Sequence, residues 1–199
     1  MPNSVSTELD AINIMLSTIG ETPINSLTGV LPGDVALARN TLAAVVKEVQ
    51  LTGWHFNTEE DYPMPLLATG EIRIPPNVAA AYPPEGDISL DVIIRGDRIY
   101  DRTNHTFIFT EPLTLTVKLI LPFDEMPEAF KWYATVKAAR RFQEEAVGSG
   151  ELAGFTERHE MEARIIAERE DNLYARPSLA RGQAATFLDG WNVGQTLER

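Results

Sequence analysis

The sequence predicts an α+β fold: an antiparallel four-helix bundle, an antiparallel β domain inserted between its two halves, and an extended C-terminal tail. Three observations predict it. Apolar residues recur at helical spacing twice in residues 1–53 and again after Pro127. Between these stretches, Leu113, Leu115, Val117, Leu119 and Leu121 alternate with Thr114, Thr116, Lys118 and Ile120, the two-residue period of a strand with one face on a core. Six of the 13 prolines (Pro63, Pro65, Pro75, Pro76, Pro83 and Pro84) fall in residues 61–87, where helix is excluded.

The first helix is expected from about Glu8 to Ile19, with Leu9, Ile12, Leu16 and Ile19 on one face. Ser6 or Thr7 caps its start, Asp10 stands three residues after Thr7 as in a capping box, and Gly20 and Pro23 end it. After the turn-rich segment 28–33, Asp34 is the expected cap of a second helix. Its stripe is Val35, Ala38, Leu42, Val45, Val46 and Val49, and Gly53 stops it. Residues 54–60 alternate briefly as a strand would, and 61–87 read as loop and edge strand. Ile88, Leu90, Val92 and Ile94 then alternate up to a turn at Gly96-Asp97. Ile99-Tyr100 and Phe107-Ile108-Phe109 flank a second polar turn at residues 102–105, so 54–121 reads as a small meander.

Pro127 suits the first turn of a third helix, where its missing N–H costs nothing. Phe130, Ala134, Ala138 and Phe142 share one face of that helix, and Trp132, Val136 and Ala139 a neighbouring one. So wide an apolar arc marks a central helix, ended by Gly148 and Gly150. A fourth helix, roughly 151–174, carries only a thin stripe of Leu152, Phe155, Ile165, Ile166 and Leu173 amid dense charge, which places it on a surface or between subunits. Residues 176–199 form the tail, too apolar for a plain linker and too broken by glycine for a long helix. The implied division is 1–53 and 122–175 for the bundle, 54–121 for the β domain and 176–199 for the tail. The residues nominated for contacts between subunits are Leu152, Phe155, His159, Ile166, Phe187 and Trp191.

Composition narrows the function. With no cysteine there can be no disulfide, thiolate metal site or cysteine nucleophile. A net charge of −12 repels phosphate, so sequence-specific nucleic-acid binding is not expected. The charge serves solubility by default; its sharper reading is a surface that nucleic acid passes without sticking. The N-terminus has no basic leader and reads as mature protein, and no apolar run approaches a membrane span. His55, His105 and His159 fall in unrelated elements without ligand spacing, so no metal is expected, and nothing suggests a cofactor; His159 reads as an interface histidine. There is no nucleophile elbow, P-loop or dinucleotide fingerprint. Asp124, Glu125 and Glu128 cluster as paired catalytic carboxylates could, but they open a helix, where acids complement the dipole. Arg95-Gly96-Asp97 spells an adhesive tripeptide that a hairpin turn would select anyway. Lys137, Arg140 and Arg141 are too few for a nucleic-acid footprint and are expected to pair with acids on the fourth helix or on a neighbouring subunit.

Five segments together carry a family resemblance: residues 11–24 (AINIMLSTIGETPI), 53–60 (GWHFNTEE), 99–103 (IYDRT), 123–128 (FDEMPE) and 137–142 (KAARRF). In this order they resemble the tail tubular protein A family of short-tailed bacteriophages over nearly the whole chain; residues 61–87 and the tail match poorly. The resemblance implies a non-enzymatic virion protein assembled in the host cytoplasm. It would form a homo-oligomeric, dodecameric adaptor ring joining the portal protein to the nozzle (tail tubular protein B). It would support tail fibres and let genomic DNA pass through its lumen, with no membrane involved. The tail, 176–199, would then contact a neighbouring subunit, the portal or the nozzle. The alternative is a virion-associated polysaccharide hydrolase, or the ring with that activity added, with Asp124, Glu125 or Glu128 as first suspects.

Overall fold

A computed structural model describes residues 5–84, 86, 89–147 and 155–188, with the backbone alone for 147 and 176–188. The fold is α+β, with four α-helices and two antiparallel sheets among the described residues. Helix α1 spans Glu8–Thr18 and opens with the expected capping box: Asp10 N–H donates to Thr7 Oγ1 at 3.2 Å and Thr7 N–H to Asp10 Oδ2 at 3.1 Å. Ala11, Ile12, Met15 and Leu16 are its buried residues. The Asn13 amide exchanges two hydrogen bonds with the Ile24 backbone, folding the following loop back along the helix.

Helix α2 spans Gly33–Leu51, and its expected stripe is buried throughout. Asp34 is not its cap. Ala36 N–H already bonds to Pro32 O, so the helix begins before Asp34, whose carboxylate sits inside the first turn facing the positive end of the dipole. Gly53, at φ +83°, takes the chain out of the helix.

A 3-10 turn, His55–Asn57, occupies the start of the segment expected as strand, because Asn57 Oδ1 accepts Trp54 N–H at 2.9 Å and curls the backbone. Strand β1 follows at Thr58–Met64, β2 at Val78–Tyr82, β3 at Val92–Arg95, β4 at Arg98–Asp101 and β5 at Leu113–Leu119. The order β1-β5-β2 overturns the expected meander: the last strand lies between the first two. β5 buries Leu115, Val117 and Leu119 and can bond on both sides, whereas β1 holds Pro63 and exposed charges and suits an edge. β3 and β4 form the expected hairpin around Gly96-Asp97, with Gly96 at φ +68°. The expected strand at 107–109 does not form. Asp101 accepts the Thr103 and Asn104 N–H groups, tightening the loop, and Phe109 N–H turns away to Gly70 O.

Helix α3, Glu128–Val147, packs against α1, α2 and α4, as its wide apolar arc predicts; Phe130, Ala134, Ala138 and Phe142 are fully buried. Buried residues fall into two clusters, one among the helices and one within the β segment. The Gln50 amide joins them, donating to Leu121 O at 3.0 Å and accepting Leu121 N–H at 2.8 Å. Asn57 donates to both Gln50 O and Leu119 O. Helix α4 spans Glu157–Leu188 and so continues well past residue 175, where an extended tail was expected. Ala180, Arg181, Gln183, Ala184 and Ala185 are strong helix formers that outweigh Pro177 and Gly182.

Candidate assembly surface

Helix α4 meets α3 through small side chains. Ala163 and Ala167 are fully buried, the only such residues of α4 among the described side chains, and lie four apart on one face. The predicted stripe is therefore displaced: Ile165, Ile166 and Leu173 are 47%, 49% and 55% exposed. Alanine lets the α4 backbone approach α3 closely, and charged neighbours fasten the pair. Arg140 Nε donates to Glu160 Oε2 at 2.7 Å, and this bond raises the guanidinium pKa above its ordinary value. Lys137 and Arg141 turn the other way. Both bind Glu48 of α2, each at 2.8 Å, so among the described residues Arg140 alone of these three cations pairs with the fourth helix.

Both ends of the described part of α4 are pinned. At its start, Thr156 N–H donates to His159 Nδ1 at 3.2 Å, an imidazole doing what Glu or Gln does in a capping box. Phe155 packs edge-on against Trp132 and against the His159 ring, with centroids 5.9 Å apart in each case. Further along, Asp171 Oδ1 accepts His55 N–H at 2.7 Å and Tyr174 stacks on the His55 ring. A cleft lined by Trp54, His55, Glu60, Asp171 and Ala175 runs between the helix and this junction.

The outer surface of α4 is more apolar than a solvated helix needs. Met161, Ile165, Ile166 and Leu173 are each at least 47% exposed. At about 100° per residue, Met161 and Ile165 lie roughly 110° around the helix from Ile166 and Leu173, so two separate apolar flanks face outward. The Arg158–Glu162 ion pair runs between them, and the Arg164–Glu168 pair borders the Met161–Ile165 flank on its other side. Such patches with charged rims mark protein contact.

The nominated residues divide accordingly. Ile166 lies on an exposed flank, Phe155 is half-buried inside the molecule, and His159 is exposed but bonded within its own chain. Leu152 and Trp191 lie outside the described residues, as does the side chain of Phe187. Met161, Ile165 and Leu173, exposed on the flanks, are not among the nominated residues, although the spacing of Met161 to Ile165 is visible in the sequence. Of the three suspected catalytic acids, Asp124 is engaged structurally: its Oδ1 accepts Glu8 N–H at 3.1 Å, capping the first turn of α1 from across the fold. Among the described residues no cluster could hold a metal ion, and no helix is long and apolar enough to cross a membrane.

Comparison with known proteins bears on what such a surface serves. The family model described as "Tail tubular protein" matches residues 9–177. Tail tubular protein A of Klebsiella phage KP34 is 31% identical over 154 residues, covering 77% of this chain and 81% of that protein. The family match runs from α1 through α2, the β segment and α3 into α4 as far as residue 177, and this chain belongs to the tail tubular protein family, structural components of the bacteriophage tail.

Proposed function

We propose that this protein is the adaptor ring of a short phage tail: a homo-oligomer, dodecameric by family resemblance, seated between the portal and the nozzle. The observation that carries the reading is the pair of exposed apolar flanks on α4, on a chain of the tail tubular family. A closed ring uses heterologous contacts, in which one surface meets a different surface of the next copy, and a helix with two outward flanks can serve one or both sides of such a contact. In this reading 1–53 and 122–175 form the ring-building helical unit, 54–121 a β unit facing the nozzle or fibres, and 176–199 a contact with neighbour, portal or nozzle. Leu152, Phe155, His159, Ile166, Phe187 and Trp191 are carried forward as interface residues.

The net charge of −12 supports a DNA passage role. Phosphates slide past a negative wall, whereas clustered lysine and arginine would hold them. The acids of α4 are proposed to line that lumen; a ring structure with them on its outer wall overturns this part. Assembly takes place in the host cytoplasm and the product resides in the virion tail. Electron microscopy of the purified chain mixed with portal protein tests the whole reading. Rings stacked on portals are expected; a chain that stays monomeric and unbound beside portal overturns it.

A further inference from the structure

The β3–β4 hairpin has an outer face unlike the rest of this acidic molecule. Val92, Ile94 and Ile99 pack toward the β cluster, while the cross-strand pairs Ile93–Tyr100 and Arg95–Arg98 share the opposite face. There the Arg95 guanidinium lies 3.7 Å over the Tyr100 ring, Tyr100 meets Phe107 edge-on at 4.9 Å, and Arg98 sits 4.3 Å over Phe107. Arg98 also pairs with Glu71, and Arg73 and Arg102 flank the hairpin, paired with Asp97 and Asp91. Arg95 has no carboxylate partner among the described residues, so its donors are held flat on an aromatic ring and face solvent. Arginine on tyrosine is the composition of an interface hot spot.

The complement lies on the same chain. Glu59, Glu60 and Asp61 of β1 are all exposed and have no cationic partner among the described residues. The β1–β5 register breaks between Glu59 and Tyr62, which makes Glu60 and Asp61 a bulge on an edge strand, and Asp61 takes φ +55°. Aspartate tolerates this left-handed conformation better than most residues, and bulges re-aim side chains where an edge meets something. The two patches are separated by the width of the three-stranded sheet: β1 is one edge of it, and β2, at the other edge, packs beside β3.

Complementary patches set apart on one chain associate head to tail. We propose that the arginine–tyrosine platform of one copy receives the Glu59–Asp61 bulge of the next, so that the β segments form a second belt of contacts around the ring. The proposal rests on the ring reading above. It is tested on the full chain, alone and with portal protein, by mass photometry at low and high salt, using Arg95→Glu, Glu60→Arg and their combination. Each single reversal is expected to weaken assembly about tenfold and the combination to restore it, because close charge pairs couple across an interface. Raised salt is expected to weaken wild-type assembly too, because exposed pairs are screened. Circular dichroism verifies that each variant is folded. Singles that assemble like the wild type overturn the belt, as does a folded double variant as weak as the singles. Loss of portal binding with self-association intact overturns it as well and assigns the platform to the portal. A wild-type chain that forms no ring under either condition overturns the ring reading itself, a result distinct from the others.

Discussion

Gln50 and Asn57 do work at the residue scale that their types alone would not reveal. Both are fully buried, and together they supply hydrogen bonds to Leu119, Leu121 and Trp54 where the helical and β segments meet. Replacing Gln50 with Leu keeps the volume but leaves the Leu121 N–H and C=O unpaired. The expected cost is about 2–4 kcal/mol, since each buried unsatisfied group costs roughly 1–3 kcal/mol. Urea denaturation checks this, and a loss within about 0.5 kcal/mol would sink the argument. Gly53 is the second such position. A Cβ there would stand 2.3 Å from Lys118 Cε, and Lys118 Nζ donates to Leu51 O and Thr52 O at the C-terminal end of α2. Gly53→Ala is expected to cost about 1–2 kcal/mol through the left-handed backbone, plus whatever is lost as the lysine is displaced. A thermal melt showing no loss of Tm would contradict it.

At the scale of elements, α2, α3 and α4 are joined by charge at the rim and by packing beneath. Hydrogen bonds from Lys137 and then Arg141 hold the Glu48 carboxyl below its usual pKa. A carboxylate depressed in the folded state contributes stability above its unfolded pKa and loses it as pH falls through the folded value. Its share is therefore present at neutral pH and is lost as pH falls from about 4.5, the ordinary value, through the lower folded value. Glu48→Gln should flatten the acid limb of a Tm-against-pH curve and lower stability slightly at neutral pH, by no more than about 1 kcal/mol for so exposed a group. Superimposable acid limbs would refute the assignment. Beneath the rim, Ala163 and Ala167 set how closely α4 approaches α3. Ala167→Leu overpacks that contact and is expected to destabilise by about 1–3 kcal/mol. Hydrogen exchange should show the loss concentrated in α4; exchange unchanged there would mean the alanines do not set the spacing.

For the whole molecule, the prediction concerns assembly without stability. Ile166→Asp and Leu173→Asp place charge on one outward flank of α4, away from Ala163 and Ala167. Surface changes of this kind move folding stability by only about 0.5 kcal/mol, but a charge buried unpaired in an interface costs several times more. The variants should melt like the wild type yet fail to form rings on portal. Normal rings would remove this flank from the interface.

The periodicities in the sequence determined the first three helices, which helix is central and where α1 starts, but not that α4 runs on past residue 175. These follow from local rules: which residues lie three or four apart, and which side chain can cap a turn. The five quoted segments pointed to the family that the comparisons show. Tertiary structure alone decided the strand order, because β5 could claim its position between β1 and β2 only once the chain had folded back on itself. It decided the partners of Lys137 and Arg141 as well, since helix spacing names a face but not the acid opposite it. It also decided which face of α4 is outward. Large apolar residues suggested the buried stripe, but α3 selects for close approach there, and two alanines satisfied it while the isoleucines remained in solvent.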